Sequence, residues 1–163
     1  MKRIKALALA GACLAAVAVA PAQAASTTFK VTVTVVARPN CVINGNKPIE
    51  VDFGEVVTTK INGSNYRVPV TYGLQCTGTN NKRLALRIAG APATFDAAAL
   101  RTSVDGLGIR LYVDDELLDV NSGSHSFDYS TKPALFAVPV RQANTQLRGG
   151  EFTAAATLKV EYS

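Results

Sequence analysis

The sequence is poor in the side chains that build metal sites and nucleophilic active sites, with one histidine and three cysteines among 163 residues. Cys13 lies in an apolar leader, so only Cys41, Cys76 and His125 remain, too few for a four-ligand zinc site. The sequence has no CxxC pair, no GxGxxG loop and no HRD motif. The serines beside His125 lack the acidic partner and spacing of a hydrolase triad. We therefore expect a protein that is not an enzyme and that holds neither a metal nor a cofactor.

The residues that follow the apolar leader also lack a large excess of positive or negative charge. Lys2, Arg3 and Lys5 precede an apolar run that ends in Ala22-Gln23-Ala24, which predicts a secretory signal peptide over residues 1–24. No second stretch of about 18 apolar residues follows, as a membrane anchor would need. Without the leader the chain keeps 14 of its 17 basic residues against 12 acidic ones. This balance indicates no nucleic-acid partner.

The residues after the leader are sufficient for one domain, and they alternate between apolar and polar in short runs. A period of two is typical of half-buried β-strands. The apolar series are Phe29–Val35, Ile49–Phe53, Val68–Cys76, Leu84–Ile88, Ile109–Val113, Phe136–Val140 and Phe152–Tyr162. Turn sequences separate them, and only residues 95–100 (FDAAAL) are predicted to be helical. The acidic run 114–119 (DDELLD) lacks the spacing of a calcium loop and predicts a solvated hairpin turn.

Cys41 and Cys76 form an even pair in a chain with an export signal, and we expect them to form one disulfide. Cys76 continues the inward phase of Val68 and Leu74, so the bond should face the core. Closing this loop would stabilise the fold by about 4 kcal/mol on a chain-entropy account. Short strands, turn signals and one disulfide together predict an all-β, antiparallel sandwich of immunoglobulin-like type.

Hydrophobic strands lie near both ends of the predicted mature chain. The N-terminal series consists of Phe29, Val31, Val33 and Val35, and the C-terminal series consists of Phe152, Ala154, Ala156, Leu158, Val160 and Tyr162. Exposed hydrophobic strands promote aggregation. Two interpretations are open: both strands pair within one sandwich, or the N-terminal strand is lent to a neighbouring molecule by β-strand addition.

Several segments resemble the pilins of chaperone–usher fimbriae, and especially the single-domain minor tip or adaptor subunits of P pili and type 1 pili. They are RPNCVINGN at 38–46, IEVDFGEV at 49–56, Cys76 at a strand end and GIRLY at 108–112. The C-terminal pattern is the most specific of them. Gly150 is fourteenth from the end, alternating apolar residues follow it, and Tyr162 is penultimate. The resemblance covers essentially all of the chain after the leader.

The resemblance implies an incomplete immunoglobulin-like sandwich, the pilin fold, which lacks its seventh strand and is completed by a donated one. Residues 25–37 would be the N-terminal donor-strand extension, with Phe29, Val31, Val33 and Val35 as the inserting side chains. Residues 38–163 would be the pilin domain. Its groove for the chaperone or donor strand would be lined by Gly150, Phe152, Ala154, Ala156, Leu158, Val160, Tyr162 and Ser163.

The resemblance also implies the partners of the chain and its place in the cell. A periplasmic pilus chaperone would cover the last strand and hold the Ser163 carboxylate. At the outer-membrane usher, the extension of a neighbouring pilin or adhesin subunit would replace the chaperone. The assembled pilus (fimbrium) would lie at the cell surface and contribute to cell adhesion. Donor extensions of this family usually contain a glycine, but residues 25–40 contain none, and our alignment puts Val33 at that position. The sequence fixes neither the donor register, nor the position in the fibre, nor a host receptor. The alternative function is a secreted immunoglobulin-like carbohydrate-binding or adhesin domain.

Overall fold

In a computed structural model of the chain, residues 39–78 and 83–163 are described. The predicted signal peptide (1–24) and N-terminal extension (25–37) lie outside these residues. Short 3-10 turns occur at Asn44–Asn46 and Thr58–Lys60. The strands are β1 (Asn40–Ile43), β2 (Val68–Pro69), β3 (Leu74–Thr77), β4 (Arg83–Gly90), β5 (Pro92–Ala93), β6 (Asp96–Arg101), β7 (Leu107–Val113), β8 (Glu116–Leu117), β9 (His125–Asp128), β10 (Leu135–Arg141) and β11 (Ala156–Tyr162).

The strands form antiparallel sheets. One has the order β2-β10-β7-β6-β5, with β8 paired to β7, and a second has the order β11-β4-β9. A third, of two strands, joins β1 to β3 and sets Cys41 directly opposite Cys76. The all-β prediction is confirmed. Among the described residues, no helix is long and apolar enough to cross a membrane.

The core lies where the two larger sheets face each other, and it follows the predicted alternation. On β4, Leu84, Leu86 and Ile88 are buried, and on β7, Ile109, Leu111 and Val113 are buried. Each such side chain contributes about 1.5–3 kcal/mol when fully removed from water. Of the residues between them, Arg87, Arg110 and Tyr112 are half-buried on the other face of each sheet, as a period of two requires, and Ala85 is buried.

The disulfide between Cys41 and Cys76 is present, and both cysteines are half-buried against the core. They are 35 positions apart in the sequence, so the bond closes a long loop. The Tyr129 hydroxyl accepts a hydrogen bond from the Cys76 backbone N–H at 3.2 Å. The predicted disulfide and its inward orientation are therefore confirmed.

The helix predicted at residues 95–100 is wrong, because Asp96–Arg101 forms strand β6. Alanine has a high intrinsic helix propensity, but propensity is a weak preference that packing overrides. Leu100 pairs with Ile109 on β7, while the Asp96 carboxylate accepts the backbone N–H of Ala98 at 3.0 Å. The burial of Ala99 and Leu100 between sheet neighbours favours the extended form.

Three predicted strand series differ from the structure in extent, and one turn is confirmed. The series Val68–Cys76 is divided between β2 (Val68–Pro69) and β3 (Leu74–Thr77). Residues 49–53 do not form a hydrogen-bonded ladder with any described residue, although their side chains keep the alternating burial. The last strand begins at Ala156 rather than at Phe152. The acidic run 114–119 does contain a hairpin turn, since Val113 on β7 pairs with Glu116 on β8.

Candidate functional site

A large groove with an apolar floor, and with a cavity volume of about 1130 Å³, opens between the edge strand β11 and the segment 47–56. Its floor is formed by buried residues of the core. The apolar floor residues include Ile88, Leu100, Ile109, Leu111, Leu135 and Ala137. These side chains come from both large sheets, so the groove reaches between the two layers of the sandwich.

Strand β11 forms one wall of the groove and has an unpaired edge among the described residues. It pairs with β4, with Leu158 opposite Ile88 and Val160 opposite Leu86, and no strand of residues 39–78 or 83–163 pairs with its other side. Leu158 and Val160 are only half-buried, whereas Leu86 is fully buried. The backbone N–H and C=O groups of an edge strand are a template for a further strand.

Segment 47–56 forms the opposite wall. Its alternation puts Ile49, Val51 and Phe53 in half-buried positions, with Glu50 and Asp52 exposed between them. Val51 and Phe53 pack against the core. This wall was not among the predicted site residues, because the alternating series Ile49–Phe53 predicts a strand but not its position opposite β11.

An aromatic contact joins the two sides of the groove. The ring centroids of Phe53 and Phe152 are 5.7 Å apart, which joins the two walls. Ala154 forms an isolated antiparallel bridge with Thr102, and the Thr153 backbone accepts a hydrogen bond from the Ser103 N–H at 2.9 Å. The chain before β11 is thereby held against the six-stranded sheet.

The structure places the predicted groove residues in two groups. Five of them line the groove: Gly150, Phe152, Ala154, Ala156 and Leu158. The other three follow along the strand beyond the cavity: Val160, Tyr162 and Ser163.

The residues beyond the cavity have contacts of their own. The Tyr162 hydroxyl donates to the Gly78 carbonyl at 3.2 Å, and the Ser163 N–H donates to the Arg83 carbonyl at 2.9 Å. The predicted inserting side chains, Phe29, Val31, Val33 and Val35, lie outside the described residues.

Charged side chains lie on the rim of the groove and not on its floor. His125 lies elsewhere, with its Nδ1 3.2 Å from a Glu116 carboxylate oxygen. Among the described residues, no group of three or more His, Cys, Asp or Glu side chains could hold a metal ion. An apolar floor beside an open strand edge suits one kind of occupant, an extended polypeptide that pairs its backbone with β11 and inserts alternate side chains.

Known fimbrial proteins are similar to this chain in sequence. A sequence profile of the family described as "Fimbrial protein" matches residues 27–163. The chain is 36% identical over 134 residues to the fimbrial-like protein YfcQ of Escherichia coli, covering 79% of this chain and 83% of YfcQ.

Two solved structures share the fold. That of the P pilus rod subunit PapA has a TM-score of 0.60 at 16% identity, covering 76% of this chain and 99% of PapA. That of the P pilus adaptor subunit PapF has a TM-score of 0.55 at 24% identity, covering 78% of this chain and 98% of PapF. A rod subunit and an adaptor subunit thus both match, so the fold alone does not assign a position in a fibre.

Proposed function

The chain belongs to the fimbrial protein family, whose members are structural pilins and not enzymes, and we propose its function from this membership. We propose that the chain is a structural or adaptor subunit that joins its neighbours by donor-strand exchange. Membership of the family places it in a surface pilus and implies contact with other pilin subunits. The proposal adds how that contact is made. It also includes a contribution to cell adhesion through the assembled fibre.

The observation that carries the proposal is the coincidence of an open strand edge with an open apolar floor. The unpaired edge of β11 lies beside the cavity, which is lined by Ile88, Ile109 and Leu111. A strand laid there would satisfy the backbone groups of β11 and cover the core at once. Four inserted side chains of Val or Phe size would contribute on the order of 6 to 12 kcal/mol of gross burial. No external energy source is required if the final occupant packs more tightly than the first.

We assign the donated strand to residues 25–37 and the accepting pilin domain to residues 38–163. The series Phe29, Val31, Val33 and Val35 has the alternation that a strand with one buried face requires. A periplasmic chaperone would occupy the groove first, beside β11 and the Ser163 carboxylate. At the outer-membrane usher, the extension of the next subunit would then replace it.

This proposal assigns different partners to the two ends of the chain, and the test separates them. Deletion of residues 25–36 should leave capture by the chaperone intact but remove the subunit from the fibre, or leave it only at a fibre end. The double change Val160→Asp and Tyr162→Asp should abolish chaperone capture, since each buried unpaired carboxylate costs several kcal/mol. Co-purification with the chaperone and immunoblotting of sheared fibres measure the two steps.

The opposite pattern would contradict the assignment. If the deletion abolished chaperone capture while the two aspartates left it unchanged, an intramolecularly closed sandwich would be the better account. Recovery of a stable, folded monomer from cells without the chaperone would count against an incomplete fold in the same way. That result would favour the alternative, a secreted carbohydrate-binding or adhesin domain.

A further inference from the structure

The rim of the groove carries an excess of negative charge. The ionisable residues that line it are four acids, Glu50, Asp52, Glu55 and Glu151, and two bases, Lys47 and Arg148. All six are exposed. Within residues 39–78 and 83–163, none of the four acids forms an ion pair. Four acids against two bases leave a net charge of −2 on the rim, which can act on an occupant of the groove.

The acids border the path that an inserted strand would take. Asp52 directly precedes Phe53, and Glu151 directly precedes Phe152, the two rings that are in contact across the groove. Glu50 alternates with the half-buried residues of its wall, so it faces solvent beside the opening. Exposed charges within about 10 Å of each other interact at moderate ionic strength.

The beginning of the sequence has the complementary charge. No Asp or Glu precedes Glu50, so all 12 acidic residues lie at or after that position. Residues 25–37 carry one charged side chain, Lys30, and Arg38 follows directly. Lys30 alternates with the apolar series that begins at Phe29. In a strand whose apolar face fills the groove, it would point outward to the level of the rim.

The size of the groove also fits this segment. Residues 25–37 contain no glycine, so every inserted position of the apolar series carries Val or Phe and needs room. The groove supplies room through small side chains on its wall and floor, namely Ala154, Ala156 and Ala137. The alanines on the β11 side are exposed.

We propose that the groove is occupied by residues 25–37 of a second copy of this chain, so that the subunit polymerises with itself. The inference rests on the proposed function and adds the identity of the donor. The acid-rich rim favours a donor that has basic and no acidic side chains. The small side chains of Ala154 and Ala156 leave room for a donor that has no glycine. Charge pairs at the edge of an interface act mainly on association rate and on the choice of partner.

The test uses synthetic peptides of residues 25–38 and the full chain, refolded from denaturant in the presence of each peptide. One peptide has the native sequence, and the other carries Lys30→Glu and Arg38→Glu with the same apolar series. At low salt, the native peptide should capture the chain about tenfold more efficiently, and the difference should disappear at 1 M salt, where the Debye length is about 3 Å. A full chain with Glu50→Lys and Asp52→Lys should prefer the acidic peptide.

The outcomes separate this inference from the proposed function. Equal capture of both peptides at low salt, or a preference that the rim changes do not invert, would overturn self-recognition while leaving the groove intact. Failure of both peptides to be captured would overturn the proposed groove itself. In cells whose only pilin is this chain, supplied with two different tags, oligomers should contain both tags. The absence of mixed oligomers would also overturn the inference.

Discussion

Replacing Leu158 and Lys159 by the same residue tests which face of β11 receives a partner. The two residues are adjacent, but Leu158 is half-buried in the wall of the groove and Lys159 is exposed on the other face. We expect Leu158→Gln to weaken strand capture strongly and Lys159→Gln to change it little. Because glutamine is introduced in both variants, the strand propensity of the new residue is the same in each.

The expected magnitude follows from the burial of the leucine. A fully buried Leu is worth about 1.5–3 kcal/mol, so a half-buried one loses roughly 1 kcal/mol of folding stability when it becomes polar. A strand in the groove would bury the other half and would also desolvate the new amide, which costs about 1–3 kcal/mol. Binding should therefore weaken by about 2–4 kcal/mol, or roughly 30- to 700-fold. An exposed change such as Lys159→Gln should stay within about 0.5 kcal/mol.

The assay is the capture of a fluorescent peptide of residues 25–37 by each full-chain variant during refolding, read by polarisation. Urea unfolding of the disulfide-bonded variants gives the stability difference that must be subtracted. Equal weakening by the two changes, or a larger effect of Lys159→Gln, would show that the groove face of β11 is not the accepting surface.

Two further predictions concern the fold. A thiol assay on the denatured, unreduced protein should find no free Cys41 or Cys76, and Cys41→Ser with Cys76→Ser should lower the free energy of unfolding by about 4 kcal/mol; two titratable thiols would contradict this. Burial, with a smaller effect from Asp114, raises the pKa of Tyr72 above its ordinary value of 10.0, and its hydroxyl donates to the Pro133 carbonyl at 2.8 Å. The contribution of the neutral Tyr72 hydroxyl to folding stability should thus be complete below pH 10 and be lost as the pH rises through the folded-state pKa. The change Tyr72→Phe should cost about 1 kcal/mol of stability and should remove this loss at alkaline pH. Identical urea midpoints against pH for the two proteins would refute that assignment.

Strand positions were predictable wherever alternation coincided with a partner strand. On β4 and β7, the predicted apolar series faces the main core, and both strands pair on both sides. On β10, Leu135 and Ala137 belong to that core, so the predicted series Phe136–Val140 lies on the opposite face of the strand. The error at residues 95–100 arose because three consecutive alanines favour a helix locally, whereas pairing between Leu100 and Ile109 is set by residues distant in the sequence.

The groove was only half predictable for a related reason. Alternation from Phe152 identified the β11 wall, including Ala156 and Leu158. Nothing in a period of two indicates which other segment will lie across a gap, so the wall formed by residues 47–56 could be found only from the packing. Its acidic rim was invisible in the sequence because Glu50 and Glu151 are about 100 positions apart.

The two faces of β11 differ in charge, and the proposed function requires only one of them to be covered. On the outer face, Lys159 and Glu161 are exposed, and Glu161 lies 3.4 Å from Arg87 across the strand pair. Charges of this kind discourage edge-to-edge aggregation. The groove face of β11 has no such charge, so under the proposed function a strand paired with the free edge of β11 would bury apolar side chains on that face only. Because a shift of one residue would exchange the two faces, an occupant must arrive in a single register. An alternating segment with charges only between its apolar residues meets both requirements.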